Sequence, residues 1–356
     1  MKTIPIINQT VKKFADKNLK GLMCPDPFNG ISISTQGDVS MCSCQMWHPT
    51  VIGNVFDSSI EEMLNSELAH DIRNSIRQGT YEYCDESRCG IMINNKLIPV
   101  NDLRDYDLEK FTDQSLVDIP RYVYIAGDKT CNLSCPSCRT SIINNDDEQD
   151  QKNKTVMNMI LEQVFGNYDS RPVTVYLSSE GEVFASRSML SFLERFPLDR
   201  YPKLELFLQS NGLMIKNRWH RINHLANNIY RLSITADSHR ADTYEKLRRG
   251  GKFDKLVENL DFVKELRKQY SFEFSLRMVI QKDNVDELED FYHFAMQYDC
   301  TEVEYMRLLD WKTYPRSTFK QLDVLDPQHE LYAGTIKKLA ELKEKYKNIL
   351  FYHFSV

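Results

Sequence analysis

The 356-residue sequence predicts an α/β protein whose larger part is built on a parallel sheet. Two observations predict the sheet: short apolar runs alternate with helical patterns from residue 121 onward, and polar residues follow every run. A third observation concerns chemistry, because eight of the nine cysteines fall into two groups, within residues 24–89 and 131–138. We therefore expect a small cysteine-rich part followed by a parallel α/β part with a reactive edge.

Six short runs, rich in β-branched and aromatic residues, are the predicted strands. In chain order they read "RYVYIAG", "VTVYLS", "LELFLQS", "YRLSIT", "FSLRMVIQ" and "EVEYMRLL". Helical patterns such as "TVMNMILEQVF" and "VDELEDFYHFAMQY" lie between them and supply the crossovers that parallel neighbours need. No GxGxxG or GxxxxGK follows any run, so the sequence does not support a Rossmann or P-loop nucleotide site.

Polar residues close every predicted strand, and in parallel sheets this edge carries the chemistry. In chain order they are Asp128 and Lys129; Ser179, Glu180 and Glu182; Gln209, Ser210 and Asn211; Thr235 and Asp237; Gln281 and Asn284; Arg307 and Asp310. Loops are polar at strand ends in any case, because they are solvated. The stronger signal is that a cysteine triplet begins just after the first strand, which favours one shared site.

The triplet lies in "CNLSCPSCRT", residues 131–140, and its spacing is CxxxCxxC. A structural zinc site and a cubane iron–sulfur cluster each take four ligands. Cys131, Cys135 and Cys138 therefore leave one position of a cubane open to an outside ligand. An open metal position binds a substrate or cofactor, whereas a closed site only stabilises the fold or carries electrons.

Composition excludes several other classes of function. A net charge of -6 and a pI near 5.8 give no electrostatic signature for nucleic acid or an anionic membrane. No apolar run approaches the roughly 18 residues of a membrane span, and "MKTIPIINQTVKKF" lacks the apolar core of a signal peptide. We therefore predict a cytoplasmic protein, where reducing conditions make metal binding a better explanation of the cysteines than disulfides.

The first hundred residues predict a different, α+β part. "ISISTQGDVSMC" has the pattern of a hairpin with Gly37 in its turn. "SSIEEMLNSELAHDIRNSIRQG" has one apolar helical stripe, with Ser58 or Ser59 as the N-cap. The charged segment 143–154 is predicted to be a solvated loop.

The triplet and its surroundings resemble the radical S-adenosylmethionine (SAM) superfamily, whose CxxxCxxC follows the first strand of a partial (β/α)6, TIM-like barrel. The resemblance implies this barrel for residues 118–320, with a C-terminal helical tail at 321–356. It also implies a [4Fe–4S] cluster held by the triplet, whose open iron chelates SAM. Reductive cleavage of SAM then gives a 5′-deoxyadenosyl radical that abstracts a hydrogen atom from the substrate.

Further segments resemble the superfamily and imply contacts to SAM. "SSEGEV" takes the place of its GGEP-like motif, so Glu182 is expected to hold the SAM amino group, although Val183 replaces the proline. "LQSNG", "SITADSHRADTYEKLRR" and "MVIQKDNVDEL" resemble its segments after strands three, four and five. Ser137 stands where the family often has an aromatic residue. The predicted SAM-binding residues are Glu182, Ser210, Asn211, Thr235, Asp237, Arg248 and Gln281.

"CPDPFNGISISTQGDVSMC" reads C-x12-G-x4-C and resembles the SPASM or twitch module, which binds an auxiliary [4Fe–4S] cluster. Here the module, with a connector, is predicted over residues 1–117, before the barrel. Its predicted ligands are Cys24, Cys42, Cys84 and Cys89. Four thiolates would close the cluster, so its expected role is to conduct electrons. Cys44 either replaces Cys42 or stays free as a hydrogen-atom donor, and the spacing also allows a four-thiolate zinc site.

The resemblance favours a peptide substrate, modified by epimerisation, cross-linking or oxidation, with a sugar or small polar metabolite as the alternative. A flavodoxin- or ferredoxin-type protein is the expected electron donor. Arg307 and Asp310, at the end of strand six, are predicted substrate contacts. A hypothesis of another class is a non-catalytic iron–sulfur or zinc protein, which would not respond to SAM.

Overall fold

The structure is a computed structural model that describes residues 19–43, 50–86, 89–93, 95–103, 105–112, 120–166, 172–177, 180–354 and 356. The chain divides into two compact units. The first comprises Met1–Asp128, Asp147–Ser178 and Arg195–Leu206, and the second Lys129–Asp146, Ser179–Glu194 and Phe207–Val356. Each unit contains several separate chain segments, whereas the predicted domains are continuous, and those boundaries stay a prediction.

Within the residues that the structure describes, the first unit holds seven complete strands and six α-helices. The strands are β1 (Leu22–Met23), β2 (Gly30–Ile33), β3 (Asp38–Ser40), β4 (Gly53–Asn54), β5 (Ile98–Pro99), β6 (Tyr122–Ile125) and β7 (Val173–Leu177). The helices are α1 (Asp26–Asn29), α2 (Ile60–Leu64), α3 (Glu67–Arg77), α4 (Gly90–Ile93), α5 (Asp105–Thr112) and α6 (Asp147–Gln163). Hydrogen-bonded neighbours run in the order β4–β3–β2–β6–β7, and β1 pairs separately with β5.

The predicted hairpin is confirmed as β2 and β3, which pair antiparallel with Ser32 opposite Ser40. Gly37 in the turn has φ +85°, a conformation that side chains disfavour. The sequence did not reveal that β2 also pairs parallel with β6, placing Ile31 opposite Val123. All four residues of β2 are buried, as expected of a strand covered on both faces. The hairpin thus extends the sheet that contains the first predicted strand of the parallel part.

Two predictions for the helices of the first unit need correction. The apolar stripe is divided between α2 and α3, because Ser66 caps the second helix by accepting the N–H of Ala69. The charged segment predicted as a loop forms most of the first two turns of α6, which begins at Asp147. Acidic residues in the first turn favour a helix N-terminus through its dipole, and this preference outweighed the polarity of the segment.

The second unit continues the alternation of strands and helices. Its strands are β8 (Leu204–Ser210, of which the last four residues belong to this unit), β9 (Ile229–Thr235), β10 (Glu273–Ile280), β11 (Glu302–Arg307) and β12 (Ile349–Tyr352). Its helices are α7 (Arg187–Glu194), α8 (Ile215–Arg218), α9 (Ala241–Leu247), α10 (Phe253–Arg267), α11 (Leu288–Gln297), α12 (Arg316–Leu322) and α13 (Tyr332–Lys345). The strands neighbour one another in sequence order, β8 to β12, and no closed barrel forms among these strands.

The six predicted strands are confirmed as β6 to β11. In the second unit β9, β10, β11 and β12 are mutually parallel. The tail was predicted to be helical, but after α12 and α13 it ends in β12, which pairs with β11 through Val303 opposite Ile349. The apolar sequence Ile349–Tyr352 can bury one face there, which explains why it extends the sheet.

Alternation along β10 determines where polar groups collect in the second unit. Phe274, Leu276 and Met278 are fully buried, and Ser275 and Arg277 alternate with them. On the neighbouring strand, Tyr305 packs on Phe291 of α11 at 6.3 Å between ring centroids. The apolar residues thus form the core with the helices, and the parallel pairing brings the carboxyl ends of β9, β10 and β11 to one edge. In the part of the chain that the structure describes, no helix is long and apolar enough to cross a membrane.

Candidate functional site

The three cysteines of the triplet lie in one folded loop of the second unit. Cys131 donates its N–H to the carbonyl of Ile143 at 3.0 Å. The carbonyl of Cys135 accepts the N–H groups of Cys138 at 2.9 Å and Arg139 at 3.0 Å. Cys131 and Cys135 are buried, Cys138 is exposed, and all three are free thiols. The backbone therefore fixes three soft ligands in one loop without a disulfide.

The buried environment of the triplet disfavours free thiolates. Burial raises the pKa of both Cys131 and Cys135, because a thiolate without a counter-charge is costly in an apolar environment. The guanidinium of Arg248 acts in the opposite direction on the pKa of both thiols. Bound iron would supply the missing positive charge and hold all three ligands as thiolates.

Arg139 is a site residue that the sequence reasoning missed. Its Nη2 donates to Cys138 Sγ at 3.6 Å, and its Nη1 donates to the carbonyl of Lys129 at 2.8 Å. It also donates to the carbonyl of Glu180. Its place directly after the third cysteine was the available signal. Arg139 thus connects the exposed end of the triplet to two neighbouring loops.

Glu182 lies at the centre of a hydrogen-bonded group formed by two strand-end segments. It is only 2% exposed. Its Oε1 accepts the hydroxyl of Ser210 at 2.7 Å and the N–H of Phe184 at 3.1 Å, and its Oε2 accepts the N–H of Asn211 at 2.6 Å. Burial nevertheless raises its pKa, against the effect of these donors. The structure thus brings together three of the predicted SAM-binding residues.

Asn211 connects this group to the triplet. Its Nδ2 donates to the side-chain oxygen of Asn132 at 2.8 Å and lies 3.9 Å from Cys131 Sγ. Its Oδ1 accepts the N–H of Leu213 at 3.1 Å, which fixes the orientation of the amide. The end of β8 and the cysteine loop therefore form one continuous polar surface.

Asp237 and Arg248, both predicted to bind SAM, form an ion pair in the structure. Asp237 has φ +65°, its Oδ1 accepts the N–H of Val279 at 2.8 Å, and its Oδ2 lies 3.4 Å from Arg248 Nη1. Burial raises the pKa of Asp237 while Arg248 lowers it. Asn284, another strand-end residue, donates to the carbonyl of Asp237 at 2.7 Å. Thr235 lies at the end of β9, buried, in register with Arg277 of β10.

Two of the predicted SAM-binding residues each have a buried side-chain atom without a hydrogen-bond partner among the residues that the structure describes. These atoms are Nε of Arg248, a donor, and Oε1 of Gln281, an acceptor. Unpaired buried groups are costly and are commonly satisfied by a ligand or water. Both belong to the predicted SAM-binding set, so the donor set fits a polar cofactor.

The predicted substrate contacts are engaged with other residues. Arg307 Nη2 pairs with Asp323 at 2.7 Å, and Asp323 is buried. Asp310 accepts from Lys312 Nζ at 2.6 Å, and Lys312 has φ +63°. These contacts do not connect either residue to the triplet. Trp311 beside them is 51% exposed.

The four predicted auxiliary ligands lie in the first unit. Burial raises the pKa of Cys24 well above its usual value, and the nearby Asp26, Cys42 and Cys84 raise it further. Cys89 is buried in a cluster with Met23, Phe28 and Tyr81, against which Cys24 and Cys84 also pack. Cys44 lies outside the described residues. Asp26, which sequence reasoning missed, accepts the N–H of Ser43 at 3.3 Å next to Cys42.

At both cysteine sites, a single metal ion and a four-iron cluster require different spacings between the ligands. Among the described residues, no three or more His, Cys, Asp or Glu side chains are grouped to hold a single metal ion. In a four-iron cluster each thiolate binds a different iron, so the ligands surround a larger body. The three thiols predicted for one site and the four predicted for the other would suit an open and a closed cluster respectively.

Two family models match the chain. The SPASM iron–sulfur cluster-binding domain matches residues 24–90, and the radical SAM superfamily matches residues 129–295. Residues 129–295 thus form a radical SAM domain, and residues 24–90 form a SPASM domain ahead of it. The cofactors are accordingly SAM, a [4Fe–4S] cluster in the radical SAM domain and auxiliary iron–sulfur chemistry in the SPASM domain.

Several solved structures are similar at low identity. One is native anSMEcpe with bound AdoMet and Cp18Cys peptide, at 17% identity and a TM-score of 0.44, covering 64% of this chain and 62% of that chain. Another is Streptococcus suis SuiB bound to S-adenosylmethionine, at 12% identity and a TM-score of 0.42, covering 90% of this chain and 70% of that chain. A third is methylornithine synthase (PylB), at 14% identity and a TM-score of 0.39, covering 65% of this chain and 70% of that chain. No curated protein matches the chain.

Proposed function

We propose that this radical SAM enzyme modifies a peptide, by epimerisation, cross-linking or oxidation, after abstracting a hydrogen atom from it. The single observation that carries the proposal is the three-thiol loop joined through Asn211 to Glu182. When bound, the cluster and SAM supply the electron and the 5′-deoxyadenosyl radical for this abstraction. The SPASM match supports the peptide, because the modules that residues 24–90 resemble often accompany peptide modification.

Different residues of the chain would bind the cluster and SAM. Cys131, Cys135 and Cys138 hold the cluster and leave one iron open. Glu182 holds the SAM amino group, and Gln281 lies in the segment that borders the adenine. The remaining contacts to SAM are Ser210, Asn211, Thr235, Asp237 and Arg248. The burial of Ser210, Asn211, Thr235 and Asp237 excludes water from the cofactor and strengthens each polar contact.

The SPASM domain would pass or accept electrons. Cys24, Cys42, Cys84 and Cys89 close its [4Fe–4S] cluster, so this cluster has no position for substrate. Cys44 serves as a fifth thiol, either as an alternative ligand or as a hydrogen-atom donor. A flavodoxin or ferredoxin supplies the reducing electron. In the structure Arg307 pairs with Asp323, and Asp310 pairs with Lys312. Arg307 and Asp310 contact the peptide after these two ion pairs have opened.

Anaerobic reconstitution tests this proposal. The wild-type protein should bind about eight irons, as two four-iron clusters, and form 5′-deoxyadenosine when SAM and dithionite are added. Replacing Cys131, Cys135 and Cys138 together with Ala should abolish that product. Cys300→Ala is the matched control, because Cys300 is buried just before β11 and is distant in sequence from the triplet loop. Unchanged 5′-deoxyadenosine from the triple variant would refute the proposal.

The substrate class needs a separate measurement. Peptides deuterated at their α-carbons should transfer deuterium to 5′-deoxyadenosine, which mass spectrometry detects. Transfer from deuterated sugars instead, with none from any peptide, would replace the peptide with a carbohydrate substrate.

A further inference from the structure

Tyr244 carries a buried hydroxyl that the fold leaves without a partner. Its side chain, in α9, is fully buried. Among the residues that the structure describes, none forms a hydrogen bond with this hydroxyl. Burying an unsatisfied hydroxyl costs about 1–3 kcal/mol, and most buried polar groups avoid this cost. A ligand of the folded protein is therefore the natural partner for Tyr244.

The ring of Tyr244 is held firmly in place. It packs edge-on against Phe253 at 5.6 Å between centroids. Its hydroxyl lies under Gly251, where an added Cβ would approach the oxygen to 2.9 Å. Its carbonyl accepts the N–H of Arg248 at 2.7 Å. The hydroxyl therefore points to one fixed place below the turn formed by residues 248–251.

That turn contacts the cysteine loop directly. The carbonyl of Arg249 accepts the N–H of Ser134 at 2.9 Å, and Arg249 Nε donates to the Ser134 hydroxyl at 3.1 Å. A Cβ added to Gly250 would lie 3.7 Å from the carbonyl of Asn132. Tyr244 is thus one layer behind the backbone that leads into Cys135.

The charged neighbours of Tyr244 leave one kind of acceptor. Arg248 is a cation and cannot accept a hydrogen bond. Asp237 is already bonded to Val279 and Arg248. Glu245, another acidic neighbour, accepts hydrogen bonds from Lys252 and from the N–H of Phe253. Cys135 is the remaining acidic neighbour, and burial together with Cys135 and Asp237 keeps the pKa of Tyr244 above its usual value. The hydroxyl therefore keeps its proton and is available as a donor.

We propose that the Tyr244 hydroxyl donates a hydrogen bond to a cluster sulfur at Cys135 and thereby raises the reduction potential of the cluster. A hydrogen bond to sulfur stabilises the reduced, more negative state more than the oxidised state. This inference rests on the assignment of Cys131, Cys135 and Cys138 as cluster ligands. The new element is the Tyr244 hydroxyl, which would change the reduction potential of the cluster.

The test removes one oxygen atom. Tyr244→Phe, reconstituted anaerobically, should titrate at a more negative midpoint potential than wild type when reduction is followed by EPR. Tyr305→Phe is the matched control, because Tyr305 is equally buried but donates to the carbonyl of Leu288 at 2.5 Å, and its potential should not move. An unchanged midpoint for Tyr244→Phe would overturn the inference.

A second readout needs no cluster. The iron-free Tyr244→Phe protein should be at least as thermally stable as wild type, because it loses an unsatisfied hydroxyl, whereas iron-free Tyr305→Phe should melt at a lower temperature. Marked destabilisation of iron-free Tyr244→Phe would show that the hydroxyl already has a partner in the chain, which contradicts the inference.

Should Tyr244→Phe fail to retain its cluster, 3-fluorotyrosine at position 244 gives the complementary measurement. Its more acidic hydroxyl is a stronger donor, so the midpoint should move to a more positive potential, and an unchanged midpoint would overturn the inference. These potentials do not depend on SAM cleavage. A protein that shows the Tyr244 effect but makes no 5′-deoxyadenosine would contradict the proposed function alone.

Discussion

At the scale of single residues, the fold controls Glu182 most strongly. A carboxylate in a loop after a strand would ordinarily be solvated, but Glu182 is buried and accepts three donors from the chain. These donors fix both of its oxygens before any cofactor arrives. Preorganised polar groups of this kind lose little entropy when they bind a ligand. Glu182 therefore contributes to the stability of the iron-free protein as well as to the proposed binding of SAM.

Glu182→Ala should lower the unfolding free energy of the iron-free protein by about 1–3 kcal/mol, because it leaves buried donors without an acceptor. It should also weaken SAM binding to the reconstituted protein. Urea denaturation and equilibrium dialysis measure the two effects. Glu180→Ala is the control, since Glu180 is exposed and its carboxylate pairs with the exposed Lys129, a contact worth at most about 1 kcal/mol. Equal stability of the two variants would contradict this account of Glu182.

At the scale of elements, capping decides where the helices of the SPASM domain begin. The sequence left Ser58 and Ser59 open as the N-cap of α2. In the structure Ser59 accepts the N–H of Glu62, and the Glu62 carboxylate accepts the N–H of Ser59 at 2.9 Å, which completes a capping box. The helix then buries Ile60, Met63 and Leu64. Both the cap and the apolar face are therefore needed for its position.

Ser59→Ala should cost about 1 kcal/mol of stability, the usual value for a lost N-cap. Ser58→Ala should change stability by less than about 0.5 kcal/mol, because Ser58 has no capping role. Hydrogen exchange of residues 60–64 in the iron-free protein would localise the effect. Equal exchange in the two variants would show that the capping box does not stabilise α2.

At the scale of the whole molecule, the two cysteine groups should differ in function. The triplet lacks a fourth thiol, and the SPASM group has four described thiols, Cys24, Cys42, Cys84 and Cys89. An open cluster can bind SAM, whereas a closed cluster can only accept or donate electrons. Removing the triplet should therefore abolish SAM binding, and removing the SPASM cysteines should interrupt electron transfer.

Replacing Cys24, Cys84 and Cys89 with Ala should reduce the iron content from about eight to about four per chain. Substrate turnover should stop while SAM still binds, because the triplet is intact. Iron analysis, SAM equilibrium dialysis and product detection by mass spectrometry measure these outcomes. Retained turnover would show that the SPASM cluster is only structural.

Much of the fold followed from local patterns. Six strands, the hairpin and the triplet after the first strand were predictable, because alternation, turn residues and metal-ligand spacing are properties of short segments. β12 was not predicted, since four apolar residues after a helix do not show whether an edge of a sheet is free to receive them. The pairing of β2 with β6 joins residues about ninety positions apart, and no local signal encodes such a contact.

The chemistry of this protein could be predicted from its sequence: a triplet of thiols, a second group of five cysteines within residues 24–89, and polar residues at the ends of the parallel strands. The tertiary structure then settled which polar groups are paired and which are left over. It committed Arg307 to Asp323, brought Arg139 to Cys138, and left the hydroxyl of Tyr244 unpaired among the described residues. The reason is physical, because side-chain pairing depends on distances and burial between segments far apart in the chain, which spacing within a motif does not contain.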